Sequence, residues 1–241
     1  MTATRSNIFR FKQFAVDQSG CAMKVNTDGV LLGVLCEADS PGRILDIGTG
    51  TGVISLILAQ RFPAANITAV EIDEPAALTA KHNFEQSVFN PRLKVLNSSF
   101  EKYLASDHAG KFDLIISNPP FFIDSLRSDD HSKGVARHTD AVFFENLLRE
   151  SAAHLETGGQ LVLIVPQRIS EILQASAERF GLRLLHLINI CSFADWAPHR
   201  HILAFGFRTG DAETDQFVIY DQPKAYSAQY SSALKDFFTI F

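Results

Sequence analysis

Short apolar runs alternate along this chain with longer stretches in which apolar residues recur every three or four positions. The short runs are typical of buried strands, and the longer stretches of helices that pack on a sheet. Their alternation predicts an α/β fold with a mostly parallel sheet of seven strands and helices on both faces. The predicted strands span residues 43–47, 66–72, 92–96, 112–117, 160–166, 182–190 and 201–208.

Capping residues set the expected ends of the helices between these strands. Pro75 suits a first helical turn, Gly158-Gly159 is expected to close the helix 143–155, and Gly181 is expected to cap the helix that follows. Thr27 followed by Asp28 predicts a capped helix start before the first strand. The predicted helices span 53–61, a segment opening at 74–75, 143–155 and 169–180.

We expect a single domain over residues 1–241, with an N-terminal preface (1–40) on the substrate side and a core (41–241) that ends in a docking tail. The 241 residues are 46% apolar and 20% charged, enough for a full core without disulfides. The three cysteines lie far apart, and no apolar run is long enough to cross a membrane. We therefore expect a cytoplasmic protein with no membrane contact. We also expect a monomer, and the histidine spacing predicts no metal site.

The chain is acidic overall, with a net charge of −5, which speaks mildly against a nucleic-acid partner. Its basic residues are nevertheless clustered before residue 25, around residues 127–138 and at residues 199–201. Any one such cluster is more often ordinary surface than a binding site. The candidate substrate-binding residues in these clusters are Lys24, Arg137, His138, His199 and Arg200.

A glycine-rich loop follows the first predicted strand. Its spacing is Asp46-x-Gly48-x-Gly50-x-Gly, whereas dinucleotide-binding loops have G-x-G-x-x-G. An acid at position 46 would repel a pyrophosphate but suits a cationic group, such as the amino group of S-adenosylmethionine. Gly48 and Gly50 let the main chain approach a ligand closely. Glu71, at the end of the second strand, can accept hydrogen bonds from ribose, so the loop predicts a nucleoside-like cofactor.

A second motif, Asn118-Pro119-Pro120-Phe121, follows the strand 112–117. It should lie at the carboxyl edge of the sheet, where open α/β sheets bind ligands. An aromatic amine or an amide nitrogen is a poor nucleophile because its lone pair is delocalised. The Asn118 side-chain oxygen and the Pro119 carbonyl can each accept one N–H and localise that pair, while the prolines stiffen the loop and Phe121 offers a stacking face.

Together the two motifs resemble the class I, Rossmann-like S-adenosylmethionine-dependent methyltransferases that act on amino groups, whose mark is (D/N/S)PP(Y/F). Over nearly the whole chain the sequence is similar to the family of bacterial tRNA1(Val) adenine-37 N6-methyltransferases. The resemblance implies a cytosolic enzyme that methylates the adenine beside the anticodon of a valine tRNA. It rests on residues 11–14, 21–25, 27–29, 112–121, 136–139, 198–200 and 226–227.

The resemblance also implies roles for particular residues. Asp46, Gly48 and Gly50 should surround the methionine end of the cofactor, while Glu71 binds the ribose and Ile72 lies against the adenine. The residues expected to form the target-base pocket, and so to be catalytic, are Asn118, Pro119, Pro120 and Phe121.

Two departures from the family pattern affect these assignments. Relatives often carry Asp near the end of the third strand to bind the cofactor adenine, where this chain has Ser99 followed by Phe100. They also often carry Tyr in place of Phe121. Phe121 can still stack on a base, but it lacks the tyrosine hydroxyl. Ser99 and Phe100 remain cofactor-binding candidates.

Three other functions remain open from the residues alone. The same motif serves glutamine N5-methylation of a protein such as a release factor, but those enzymes usually add a helical N-terminal domain, and only about 40 residues precede the first strand here. A guanine N2-methyltransferase for ribosomal RNA is a second alternative. A silent cofactor-binding module is the third, although such a module need not keep Asp46 or Asn118.

Overall fold

A large twisted sheet with helices on both faces forms the centre of the molecule. The structure, a computed structural model, describes residues 7–120 and 130–241, except for the side chains of 130–140. The strands are β1 (Ile8–Arg10), β2 (Ala15–Asp17), β3 (Arg43–Ile47), β4 (Asn66–Glu71), β5 (Leu93–Asn97), β6 (Phe112–Ser117), β7 (Leu155–Val165), β8 (Arg183–Cys191), β9 (Arg200–Gly206), β10 (Glu213–Val218), β11 (Tyr220–Gln222) and β12 (Ala225–Tyr226).

Helices cover both faces of this sheet and divide the core into two apolar clusters. One cluster holds α1, α2, α3 and both ends of the chain, and the other holds α4, α5 and α6. The helices are α1 (Thr27–Leu35), α2 (Val53–Arg61), α3 (Glu74–Glu85), α4 (Phe100–Leu104), α5 (Asp130–His154), α6 (Gln167–Ala177) and α7 (Ala228–Leu234), with 3-10 turns at Asn90–Arg92 and Glu178–Phe180.

The sheet order is β10-β8-β9-β7-β6-β3-β4-β5. β3 pairs in parallel with both β4 and β6, whereas β9 is antiparallel to both of its neighbours. The carboxyl ends of the parallel strands therefore meet at one edge of the sheet, which we call the carboxyl edge. Because β9 runs the opposite way, its first residue, Arg200, lies at this edge as well.

The predicted α/β class is confirmed, but the sheet has eight strands within the described ranges instead of seven. The additional strand, β10, pairs in parallel with β8 at the edge of the sheet. Four of its six residues are exposed, so it has no apolar run to reveal it. The strand prediction depended on burial, and an edge strand such as this one does not need burial on both faces.

The expected helix stop at Gly158-Gly159 is wrong. Helix α5 ends at His154, and β7 begins at the next residue and runs through both glycines. A Cβ on Gly159 would lie only 2.8 Å from the carbonyl oxygen of Phe112 in β6. Gly159 is thus explained by close strand packing, whereas the expected cap at Gly181 is confirmed by a left-handed φ of 75°.

The N-terminal preface packs against the core and the C-terminal tail. Phe11 and Phe14 are buried and stacked, with ring centroids 4.4 Å apart, and Phe11 forms an isolated bridge with Phe238. The cap of α1 is Asn26, whose side chain accepts a hydrogen bond from Gly29 at 2.9 Å, and not Thr27 as expected. No described helix is long and apolar enough to cross a membrane.

Candidate active site

A cavity of about 400 Å³ opens at the carboxyl edge, between the ends of β3, β4, β5 and β6 and the preface. Most of the residues predicted for the cofactor and the target base line it. Residues 21–23 of the preface and Phe143 of α5 also contribute, and neither motif pointed to them. The predicted residues among the walls are Gly48, Gly50, Glu71, Ile72, Ser99, Phe100, Asn118, Pro119 and Pro120.

The glycine-rich loop forms the floor of the cavity. Gly48 and Gly50 have φ values of 71° and 54°, which favour glycine, and a Cβ on either would meet no atom within 4 Å. The Gly48 N–H donates to the Val70 carbonyl at 2.9 Å and holds the loop on β4. The loop is therefore fixed in shape and leaves open space above it for a ligand.

Asp46 lies completely buried at the end of β3 and is not among the residues that line the cavity. One carboxylate oxygen accepts hydrogen bonds from Thr49 at 2.6 Å and Ser55 at 2.7 Å. The other oxygen has no partner in the part of the chain that the structure describes. Burial raises the pKa of Asp46 to about 6, against the two hydrogen bonds, which lower it. An unpartnered buried carboxylate oxygen suits a cationic ligand group nearby.

Glu71 and Ile72 form the wall at the end of β4. The Glu71 oxygens accept hydrogen bonds from the Gly50 N–H at 2.9 Å and the Asp73 N–H at 3.0 Å, which fixes the carboxylate beside the loop. Each oxygen keeps a free lone pair that can accept from a hydroxyl. Ile72 is 75% exposed at the wall, so an apolar surface faces the opening. This pair suits a ribose and an adenine.

Ser99 and Phe100 form the wall after β5. In the structure Ser99 caps a helix and Phe100 packs in the core. The Ser99 hydroxyl caps α4 by accepting from the Lys102 N–H at 3.2 Å. Phe100 is buried and meets Phe143 edge to face, at 5.7 Å between ring centroids. The role of Ser99 toward a cofactor adenine stays a prediction.

Asn118 lies where β6 ends. The preceding Ser117 hydroxyl donates to the Ile47 carbonyl at 2.8 Å and ties the ends of β6 and β3 together. The Asn118 side chain is half-buried at the cavity wall and makes no hydrogen bond to a described residue. Pro119 is buried and Pro120 exposed, and Phe121 lies outside the described residues. A rigid bend thus presents an uncommitted amide to the cavity.

The first turn of α1 lies beside the Asn118 amide and is bonded to Arg200, one of the predicted substrate-binding residues. A Cβ on Gly29 would lie 3.7 Å from the Asn118 side-chain nitrogen. The adjacent Asp28 accepts a 2.7 Å hydrogen bond from Arg200 at the start of β9. His199 is exposed beside it, and its pKa is lowered by partial burial and by the Arg200 cation.

The remaining predicted substrate contacts lie away from the cavity walls or have side chains outside the described part of the structure. Lys24 is exposed two residues before the Asn26 cap of α1 and is not among the residues that line the cavity. Arg137 and His138 lie in α5, but their side chains are outside the described part of the structure. Among described residues, no group of His, Cys, Asp and Glu side chains is arranged to hold a metal ion.

A mostly parallel sheet with a glycine-rich loop after β3, an acid at the end of β4 and an Asn-Pro-Pro motif after β6, all around one cavity at the carboxyl edge, defines the class I methyltransferase architecture. Comparison with known proteins agrees: a family model described as the methyltransferase small domain matches residues 24–182. The chain is 47% identical to the tRNA1(Val) (adenine(37)-N6)-methyltransferase of Pedobacter heparinus, covering 98% of this chain and 99% of that protein. The protein of the same name from Bacteroides thetaiotaomicron is 38% identical, with 95% and 96% covered. The chain belongs to the tRNA1(Val) (adenine(37)-N6)-methyltransferase family.

Solved structures are similar in fold only. A predicted O-methyltransferase from Agrobacterium tumefaciens superposes with a TM-score of 0.64 at 18% identity, covering 87% of this chain and 95% of that one. The 16S rRNA N2 G1207 methyltransferase of Thermus thermophilus, solved with AdoMet and guanosine, gives 0.54 at 22% identity, covering 81% and 47%. Methyltransferases of this fold use S-adenosylmethionine, and the unpartnered oxygen of Asp46 and the open space above Gly48 and Gly50 fit that cofactor.

Proposed function

We propose that this chain methylates N6 of adenine 37, next to the anticodon of tRNA1(Val), with S-adenosylmethionine as the methyl donor. The observation that carries the proposal is the uncommitted Asn118 amide, held on a proline-stiffened bend at the wall of the cavity. The near full-length relatives that bear this name support the choice of substrate. A tRNA substrate implies a cytoplasmic location, and a single domain acting as a monomer without a metal ion suffices for the proposed chemistry.

The glycine-rich side of the cavity would hold the cofactor. The unpartnered oxygen of Asp46 would receive the cationic amino group, Glu71 would accept from the ribose hydroxyls, and Ile72 would cover the adenine. Gly48 and Gly50 would lie under the ligand, where a side chain would intrude. When bound, S-adenosylmethionine supplies a methyl group activated by its sulfonium.

The Asn118 side would activate the substrate amine. The Asn118 side-chain oxygen and the Pro119 carbonyl would each accept one N–H of the adenine amino group. Two acceptors localise the nitrogen lone pair and direct it toward the methyl group, so that a strong base is not required. The nitrogen would form a bond to the methyl carbon while the bond from that carbon to sulfur breaks and its electron pair stays on sulfur. The extra proton on nitrogen would then leave to solvent. The base must leave its stack to reach these acceptors, as in other enzymes that act on nucleobases.

The experiment is transfer of tritiated methyl groups to total tRNA and, separately, to total protein, followed by mass spectrometry of the nucleosides. We expect label in N6-methyladenosine at one position of a valine tRNA. Label in protein glutamine or in N2-methylguanosine would overturn the proposal and favour one of the alternative substrates.

Asn118→Ala tests the proposed chemistry itself. We expect kcat to fall by about a hundredfold or more, as for other positioned hydrogen-bonding groups, while calorimetry shows unchanged cofactor affinity. Asn66→Ala is the matched control, because Asn66 is exposed at the opposite, amino end of β4. Near-normal turnover of the Asn118 variant would refute the assigned role.

A further inference from the structure

Trp196 is the single tryptophan of the chain and is 62% exposed. It lies between β8 and β9, in the segment 192–199 that we call the β8–β9 loop. Because β8 ends and β9 begins at the carboxyl edge, this loop lies at the same edge as Asn118. Tryptophan is enriched at binding interfaces, because its ring offers a large apolar face and its N–H can meet a polar partner.

The exposed indole is held in place by its surroundings. Two hydrogen bonds hold the loop that carries it. The backbone N–H of Trp196 donates to the Phe193 carbonyl at 3.1 Å, and the Gln216 side chain donates to the Ala194 carbonyl at 3.1 Å. The indole lies 4.8 Å from the Phe193 ring, which in turn lies 5.8 Å from Tyr220. The ring is thus supported from behind and presented outward, so stacking a ligand on it costs little ordering entropy.

The loop is anchored to the first turn of α1, which lies beside Asn118. Arg200, which follows the loop, bonds to Asp28, and the next residue, Gly29, lies beside the Asn118 amide. The polar side chains near the indole in the loop are mixed: His199 is exposed, and so is the Asp195 carboxylate beside Trp196. A neutral aromatic face suits such a site, because base stacking does not depend on a strongly positive surface.

We propose that Trp196 stacks on an unpaired nucleobase of the RNA substrate that flanks the target adenine. The inference rests on the proposed function for the identity of the ligand, and it deepens that function by naming a contact outside the cavity. Stacking on a neighbouring base would hold the loop of the RNA open while the target base occupies the Asn118 site. It would also add affinity that the acidic protein surface does not supply.

The single tryptophan makes a direct test possible, because intrinsic tryptophan fluorescence reports only on Trp196. The probe is a synthetic anticodon stem-loop of the valine tRNA, and the control RNA is a duplex of the same composition without unpaired loop bases. We expect saturable quenching by the stem-loop and little by the duplex. Equal quenching by both RNAs, or none by either, would overturn the proposal.

Variants separate stacking from a merely structural role. Trp196→Leu is expected to raise the KM for tRNA about tenfold with kcat and cofactor affinity nearly unchanged, and Trp196→Tyr to restore most of the loss. Leu78→Ala, which removes an equally exposed apolar side chain from α3, should change none of these. If wild type forms no N6-methyladenosine in tRNA, the proposed function fails. If wild type does form it but the KM of Trp196→Leu is unchanged, only the stacking fails.

Discussion

At the scale of single residues, Gly48 and Gly181 share a backbone conformation but differ in position. Their φ values are 71° and 75°, and a Cβ on either would meet no atom within 4 Å. Gly181 follows the last turn after α6, whereas Gly48 lines the cavity. The two positions therefore separate the cost of backbone strain from the cost of filling the binding space.

We expect Gly48→Ala and Gly181→Ala to lower the free energy of unfolding by similar amounts, about 1 to 2 kcal/mol, because both place an L residue in the left-handed region. Only Gly48→Ala should weaken binding of S-adenosylmethionine, by about tenfold or more, since its methyl group occupies ligand space. Denaturant titration and calorimetry measure the two quantities. Equal cofactor affinity in both variants would show that the space above Gly48 is not the cofactor site.

The sequence predicts Gly48, Glu71 and Asn118 at the cavity because each sits at a strand end, and the strands are apparent from their apolar runs. It does not predict that Asp46 is buried under hydrogen bonds from Thr49 and Ser55, which only the folded loop brings together. Burial raises the pKa of Asp46 from 3.8 to about 6. The free energy of unfolding of the ligand-free protein therefore falls as the pH rises between those values, because the buried carboxyl must ionise. A cationic ligand beside the carboxylate would offset that loss.

At the scale of elements, the packing of α1 on α2 depends on a close approach at Gly33. A Cβ there would lie 3.0 Å from one methyl carbon of Ile57 and 3.2 Å from its Cβ, which cannot move without the backbone of α2. One turn earlier, a Cβ on Gly29 would meet its nearest atoms at 3.5 to 3.7 Å, which is ordinary contact. The same substitution in the same helix should thus have opposite effects.

Gly29→Ala is expected to stabilise the protein by up to about 1 kcal/mol, through higher helix propensity. Gly33→Ala gains the same propensity, but overpacking against Ile57 should exceed it and leave the variant about 1 kcal/mol less stable than wild type. Denaturation midpoints at a constant m-value give the comparison. A Gly33 variant as stable as the Gly29 variant would mean that the two helices can separate without cost.

Element prediction succeeds where burial decides the structure and fails where pairing decides it. The central strands β3 and β6 are buried on both faces, and their apolar runs mark the observed bounds. β10 is held mainly by hydrogen bonds to β8, and its polar residues give no local signal. The Asp28–Arg200 pair joins residues 172 positions apart, so it becomes visible only once the sheet order is known.

At the scale of the whole molecule, the charge balance limits how RNA can be bound. A net charge of −5 opposes RNA at long range, so the attraction must come from a few local cations at the carboxyl edge. Lys24 is exposed shortly before α1, whose first turn lies beside Asn118 at the carboxyl edge. Lys111 precedes β6 and donates to the Leu155 carbonyl at 3.2 Å, which places it at the opposite, amino edge.

Lys24→Ala and Lys111→Ala remove the same charge at the two edges, so they test whether RNA binds at the carboxyl edge. We expect the KM for tRNA to rise with salt in the wild type, because bound cations release counterions from the phosphates. The slope of log KM against log salt should fall by about one in Lys24→Ala and stay unchanged in Lys111→Ala. The KM for S-adenosylmethionine should not respond to either substitution, since its site lies inside the cavity. A smaller slope in Lys111→Ala alone would place the RNA at the amino edge, too far from Asn118 for methyl transfer.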